Sequence, residues 1–262
     1  MGKLDRLREE IAEKGKMLIA FSGGVDSGLL TKVAYDTLKD NALAVTLDTE
    51  TLPKSELKDA KDIASSIGIT HRVIRFSELQ NEQLIKNPPN RCYHCKKESA
   101  KVLRRIAAEV GIKTIADGVN LSDFHEHRPG IIACDEEGIW HPFVDAGIKK
   151  SEIRAMAKEA GLPFWDKPPM ACLSSRIPYG EQITKEKLRM IEGAEGVLRS
   201  LGFNQSRVRM HGNIARIEVP TEDMDELFKL KERIILSLKG IGFAYITMDL
   251  KGYRSGSMDE IL

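Results

Sequence analysis

The segment Ser22-Gly23-Gly24-Val25-Asp26-Ser27 stands where an apolar run, 17–21, gives way to the helical spacing of Leu29, Leu30, Val33 and Ala34. A loop that leaves a parallel strand and enters a helix offers unpaired backbone N–H groups and the positive helix end, which together make an anion site. Gly23 and Gly24 let the backbone approach an anion closely and take positive φ. Ser22 and Ser27 add hydroxyl donors. Asp26 repels phosphate unless a cation lies between them. The string fits neither the Walker pattern nor G-x-G-x-x-G. Taken alone, a tight strand–helix turn with Asp26 near an N-cap explains it equally well.

The second group with chemical potential is the cysteines: Cys92, Cys95, Cys134 and Cys172. Cys92 and Cys95 form a C-x₂-C at the start of a helix. Such a pair suits a redox couple, half of a zinc site (with His94 between them), or two ordinary cysteines. Cys134 has no partner by spacing and reads as a buried structural thiol. Asp117, Asn120 and Asp123 follow an apolar strand, at the kind of strand end where open α/β sheets bind ligands, though an Asx turn needs the same residues. Arg128, in "HRPG", suits a phosphate or carboxylate, or is a solvated loop arginine. His125 and His127 have no compact metal-site spacing. Arg207 and Arg209 sit two apart on a strand and so share a face. With Arg176 they form a candidate set for phosphate and carboxylate recognition; an exposed strand face is the plain alternative for the pair. Glu195 reads first as helix surface, with holding a metal or orienting an arginine as its alternatives, and Tyr179 as loop packing or a stacking ring.

The elements that must position these groups alternate. Strands at 17–21, 42–49, 71–76 and 113–118 are separated by helices, which predicts a parallel sheet covered on both faces. Ser55 and Ser151 are the expected N-caps of two of those helices, and Gly68 and Gly111 the stops of two. After about residue 182 the order becomes helix 186–201, strand 206–211, strand 213–219, helix 222–238 and strand 243–249. "VRMHGNIARIEV" alternates across a Gly-Asn turn, the pattern of an antiparallel hairpin. The expected organisation is therefore an α/β domain over 1–182 and a smaller α+β domain over 183–262. The chain has 262 residues, 30% of them charged, and a net charge of +1. No segment reaches the roughly 20 apolar residues that span a bilayer, and the start lacks the apolar centre of a signal peptide. Few cysteines in a chain of this size point to reduced thiols and a cytoplasmic location. A near-zero net charge gives no general attraction to nucleic acid.

"SGGVDS" resembles the pyrophosphate loop of the PP-loop ATP pyrophosphatases, which cleave ATP between the α- and β-phosphates and leave an adenylylated substrate. "RCYHCKK", "DGVNLSD", "HRPG", "HPFVDAGIKKSEIRAMAKEAGLP" and "WDKPPMACLSSRIPYG" occur in this order and resemble the LarE family of that superfamily. Its members are ATP-dependent sulfur transferases of nickel-pincer nucleotide assembly. The resemblance runs from about residue 3 to 250. It implies that Ser22, Gly23, Gly24, Asp26 and Ser27 hold pyrophosphate with Mg²⁺, and that adenine lies near Ala20, Phe21 and the strand end at 46–51. Asp117, Asn120 and Arg128 would contact the nucleotide or its metal. It implies adenylylation of a carboxylate of pyridinium-3,5-biscarboxylic acid mononucleotide, followed by sulfur displacement of AMP, in a homo-oligomer that binds neither nucleic acid nor membrane.

The sulfur source has two forms in that family. In one, a cysteine at the position of Cys172 gives up its own sulfur. In the other, three cysteines hold a [4Fe–4S] cluster with one iron open. The presence of Cys92 and Cys95 favours the second, with Cys92, Cys95 and Cys172 as ligands and Asp26, Cys172 and Arg176 as catalytic residues. A PP-loop tRNA thiolase and a non-catalytic adenine-nucleotide module are the rival readings.

Overall fold

The computed structural model describes residues 2–125, 129–169, 171–254, 256–258 and 260. They form two compact units, 1–78 with 90–170 and 79–89 with 171–262.

The first unit carries a four-stranded parallel sheet of order β3-β2-β1-β4, made of β1 (Met17–Ala20), β2 (Ala42–Asp48), β3 (Thr70–Arg75) and β4 (Thr114–Ala116). Its helices are α1 (Lys3–Lys14), α2 (Val25–Leu38) and α3 (Lys54–Ile67). Alternation along the strands divides the core in two. Met17 and Ile19 face one side, packed with Leu7 and Ile11 of α1, Leu30 of α2 and Ile63 of α3. Leu18, Leu43 and Val45 face the other.

The second unit takes in the short α4 (Glu82–Ile85). In the first unit, the long α5 (Arg91–Glu109) places Ala100, Leu103 and Ile106 against that second sheet face. α6 (Pro129–Glu136) adds Cys134 there. α7 (Pro142–Asp145) and α8 (Lys150–Glu159) complete this unit, with Phe143 and Ile153 fully buried. The expected covered parallel sheet is therefore present.

The N-caps differ from expectation. α3 starts at Lys54 behind Pro53, whose φ of −57° already suits a helix entry, and Ser55 lies inside the first turn. α8 starts at Lys150 because the Glu152 carboxylate reaches back 2.9 Å to the Lys149 N–H; Ser151 has no capping bond. Gly68 ends α3 in the left-handed conformation, as expected.

The second unit has a three-stranded sheet of order β5-β6-β7, with β5 (Arg207–His211), β6 (Ile214–Glu218) and β7 (Tyr245–Met248). β5 and β6 form the expected antiparallel hairpin, and β7 joins parallel to β6. α9 (Lys185–Ser200) buries Leu188, Ile191 and Leu198. The helix expected over 222–238 is instead two, α10 (Met224–Lys229) and α11 (Lys231–Ile241), opened at Leu230 where ψ is 9°.

Residues 171–182, which the sequence pattern assigned to the first domain, belong to the second unit together with 79–89. Buried Asn87 donates through Nδ2 to the carbonyls of Ile177 (3.1 Å) and Pro178 (2.7 Å). Its own carbonyl accepts from Gly180 N, and that of Ile85 accepts from Ile183 N. These bonds stitch the two segments together.

Candidate active site

In the first unit, β1 ends at Ala20, and the backbone turns through Phe21–Gly24 into α2. Gly23 has φ +75°, and a Cβ there would lie 2.9 Å from the Ala60 Cα of α3. Only glycine fits both the conformation and the approach. The two serines hold the loop together. Their hydroxyls are 3.0 Å apart, and Ser27 Oγ also accepts from Ser22 N and donates to Gly24 O. Gly24 is the N-cap of α2 with no side-chain cap, an arrangement in which a helix's first N–H groups are suited to an anion.

Asp26, in the first turn of α2, pairs with the Lys150 ammonium of α8. Burial pushes the Asp26 carboxyl above its ordinary value, against the pull of Lys150, and Asp123 adds to the rise. Its Oδ1 is buried without a hydrogen-bond partner. An anionic oxygen left in that state suits a divalent cation. Lys150 was not singled out in the sequence; its place in "GIKKSEIR", at the start of a helix, was the available signal.

Gly118, after β4, packs so closely on α2 that a Cβ would lie 2.8 Å from Ser27 N. This brings Asp117 to the loop, but its Oδ1 is engaged by Val119 N (3.1 Å) and by His141 Nδ1 (2.6 Å). Asn120 is fully buried in an Asx turn: its N and Nδ2 donate to Asp123 Oδ2, and its Oδ1 accepts from Ser122 N. Both residues thus shape the turn after β4. Arg128 and His127 lie outside the described residues.

His141 also faces Asp135, at 3.2 Å. Burial works against its charge, yet the hydrogen bond to Asp117 and the nearby carboxylate charges of Asp117 and Asp135 prevail and raise its pKa. A raised folded value means that the imidazolium's stabilisation is complete below about pH 6.5 and is lost as pH rises through the folded value. Urea unfolding between about pH 6 and 9 should therefore show stability falling with pH, and His141→Gln should flatten that slope.

Cys92 is exposed in the first turn of α5, and Cys95 donates its Sγ–H to Glu78 Oε1 at 3.0 Å. Cys134 is different: burial pushes its thiol up to about 11, which fits the structural role expected. Among the described residues no three His, Cys, Asp or Glu side chains gather closely enough to hold a metal ion.

The second unit gathers the other candidates. Cys172 is exposed and precedes a single 3₁₀ turn, Leu173–Arg176. Arg176 has no exposed surface. Its guanidinium forks onto Glu195 (Nε to Oε1 2.8 Å, Nη2 to Oε2 3.1 Å), and Nη1 donates to the carbonyls of Ala171 and Cys172 and to Ser175 Oγ. A guanidinium bound this way shapes the Cys172 loop instead of waiting for substrate. Glu195 is correspondingly buried and not helix surface. Removing one partner of such a pair leaves a buried charge, so Arg176→Met should cost about 3–5 kcal/mol in chemical denaturation. Glu195→Gln, which keeps one acceptor, should cost less.

Arg209 donates to Glu218 Oε2 (2.9 and 3.0 Å) and to Ser175 O (3.0 Å). Arg207 donates to Ser206 O and lies over the Tyr253 ring, 5.2 Å from its centre. Burial, then the neighbouring Arg176, holds Arg207 below its ordinary value. Neither arginine stands on an exposed strand face: both are 5% exposed. Arg176 and Arg209 thus reach the Cys172 loop through its carbonyls, and Arg207 stands close enough to Arg176 to feel its charge, a basic surrounding suited to an anionic ligand.

Comparison with known proteins agrees with this geometry. An NAD synthase family model matches residues 3–107, the part that contains the Ser22–Ser27 loop. The pyridinium-3,5-bisthiocarboxylic acid mononucleotide synthase of Lactiplantibacillus plantarum is 36% identical over 94% of this chain and 90% of its own. The chain belongs to the LarE family of PP-loop proteins. An uncharacterised Synechocystis protein is 45% identical over 99% of this chain and 98% of its own. Beyond the LarE family, a component of the glutamine-hydrolysing GMP synthase of Thermoplasma volcanium is 30% identical over 74% of this chain and 66% of its own. This LarE-family chain is an ATP-dependent, sulfur-transferring enzyme. No helix among its described residues is long and apolar enough to cross a membrane.

Proposed function

We propose that this protein adenylylates a carboxylate of pyridinium-3,5-biscarboxylic acid mononucleotide with ATP, releases pyrophosphate, and inserts sulfur to give the thiocarboxylate. The observation that carries this reading is the arginine cluster chained by hydrogen bonds to the Cys172 loop in the second unit. A substrate with one phosphate and two carboxylates is the kind of anion such a cluster recognises. The uncapped, glycine-built start of α2 supports pyrophosphate binding, with Ser22, Gly23, Gly24 and Ser27 as donors. Ala20 and Phe21 border the adenine. The orphaned Asp26 Oδ1 is suited to Mg²⁺, which would offset oxyanion charge there.

Within this reading the chain's own groups do the following. The loop N–H groups bind the β- and γ-phosphates as they leave. Lys150 fixes the Asp26 carboxylate. Arg207, and Arg209 while still paired with Glu218, supply positive charge to the substrate phosphate and carboxylate, and Arg176 keeps Cys172 extended and exposed. Positioning and charge neutralisation supply most of the adenylylation step. The carboxylate oxygen attacks the α-phosphorus as the bond to pyrophosphate breaks. Sulfur then attacks the acyl carbon, and AMP leaves with the bridging oxygen.

We take Cys92, Cys95 and Cys172 as ligands of a [4Fe–4S] cluster. What supports this is the chemistry of the donor set, three cysteines outside the hydrophobic core with two of them one helical turn apart, although the three are not gathered as a metal site among the described residues. Such a cluster would supply a sulfide nucleophile. In the alternative, Cys172 gives its own sulfur and becomes dehydroalanine, lowering the chain mass by about 34 Da, one H₂S. Anaerobic purification followed by iron and sulfide analysis, and intact mass after turnover, separates the two. Bound iron with unchanged mass supports the cluster. The mass loss without iron contradicts it.

We read the protein as a cytoplasmic homo-oligomer. The small number of cysteines in the sequence supports the location, and exposed Phe228, Leu236, Tyr245 and Leu250 on the second unit support self-association. A net charge of +1 supports a small-molecule substrate over tRNA.

A further inference from the structure

In the first unit, the segment that follows α8 lies across the Ser22–Ser27 loop. Phe164 packs on Gly28 so closely that a Cβ there would meet its ring at 2.5 Å. Arg154 of α8 holds the segment from behind, through the carbonyls of Trp165 (3.4 Å) and Lys167 (2.9 Å). At its end the Lys167 ammonium lies 2.9 Å from Glu56 Oε2 and 2.7 Å from Asp59 Oδ2, both on α3. The same nitrogen donates to the Gly23 carbonyl at 3.2 Å. The Lys167 side chain is 14% exposed and that of Glu56 8%, so solvent screens this pair weakly, whereas Asp59, at 44%, is screened more strongly.

Through the Lys167 ammonium, which meets Glu56, Asp59 and the Gly23 carbonyl, two carboxylates stand close behind an anion-binding loop, and their charge opposes its task. The charge they place beside a polyphosphate must be cancelled locally, because a partly buried charge is felt over several ångströms. Lys167 cancels it. It also fixes the Gly23 carbonyl, and a peptide unit whose C=O is tied toward α3 directs the N–H of Gly24 the opposite way, to the side of the Ser22 hydroxyl, to which it donates over a long 3.4 Å.

We propose that Lys167 is a positioning residue of the pyrophosphate loop: it neutralises Glu56 and Asp59 and holds the Gly23–Gly24 peptide in its anion-binding orientation. This rests on the assignment of Ser22–Ser27 as that loop. The lysine need not touch ATP. Its effect is on the affinity for MgATP, not on the chemical step.

Calorimetric titration of the full chain with MgATP, together with steady-state kinetics, tests this. Lys167→Met should weaken MgATP binding about tenfold, raising KM with little change in kcat, as loss of uniform binding does. Lys167→Arg, which keeps the charge, should stay within about threefold of wild type. The triple variant Lys167→Met, Glu56→Gln, Asp59→Asn should recover most of the lost affinity, which a merely structural role would not produce. The pair Glu56→Gln, Asp59→Asn with Lys167 intact should bind at least as tightly as wild type, and stands as the test if Lys167→Met does not fold. Wild-type affinity in Lys167→Met, no recovery in a folded triple variant, or a tenfold loss in the double variant each overturns the proposal. Failure of the wild type itself to bind MgATP would overturn the loop assignment, and this proposal with it.

Discussion

Cys172→Ser should abolish thiocarboxylate formation, by about 10³-fold or more, because both candidate sulfur routes pass through this thiol. The structure gives the residue what either route needs. Its sulfur is exposed, while its backbone is held by Ser175 and by Arg176 Nη1 at 3.0 Å. Serine keeps that backbone arrangement and removes only the sulfur. ATP binding should therefore persist, since the Ser22–Ser27 loop proposed to bind pyrophosphate belongs to the other unit. The remaining cysteines sort the routes. In the cluster route, Cys92→Ser and Cys95→Ser lower iron content and sulfur transfer together. In the sacrificial route, they leave a single turnover intact. Cys134→Ser should preserve transfer in both, at a modest stability cost, because that thiol is 4% exposed in the core. Mass-spectrometric quantification of the sulfur product, with iron analysis on the same samples, checks all four variants.

Asp26→Ala should lower AMP formation by about 10²- to 10³-fold while the chain stays folded. The carboxylate's pKa is raised chiefly by burial, so its ionised form costs stability, and removing it relieves that cost. The Lys150 side chain is 35% exposed, and solvent can take over its charge. Thermal unfolding should therefore change little, and in either direction. Asp26→Asn separates charge from shape: if the role is to hold a divalent cation, the amide should be nearly as inactive as alanine. An Asn variant with near-wild-type AMP formation would show that shape and not charge matters. Phosphorus NMR of the reaction mixture reads both variants.

The alternation of strands and helices made the parallel sheet legible, and the Gly212-Asn213 turn made the β5–β6 hairpin legible, because both follow from local periodicity and turn chemistry. Two things were hidden. The first was the packing of 79–89 with 171–182, which depends on side-chain bonds from Asn87 to residues 90 and 91 positions away. No local pattern encodes such a contact. The second was the state of the arginines. Arg176, Arg207 and Arg209 read as residues waiting for substrate, but spacing does not reveal that Glu195 and Glu218 are buried beside them. Glu195 looked like helix surface because a helix pattern marks which face a residue lies on, not what packs over that face. Asp117 and Asn120 show the converse. Their alternative as Asx-turn residues was visible at the outset, and their hydrogen bonds in the structure are those of a turn. Lys150 and Lys167 went unnoticed because single lysines in charged segments carry no signal until the fold sets them against Asp26 and Gly23.

The most direct test is one anaerobic reaction containing the full chain, ATP, Mg²⁺ and pyridinium-3,5-biscarboxylic acid mononucleotide, with nucleotides and pyridinium products resolved by mass spectrometry. The account predicts AMP and pyrophosphate together with a pyridinium product in which sulfur replaces a carboxylate oxygen. ADP and orthophosphate, or AMP formed with no sulfur in the pyridinium product while added tRNA becomes thiolated, would contradict it.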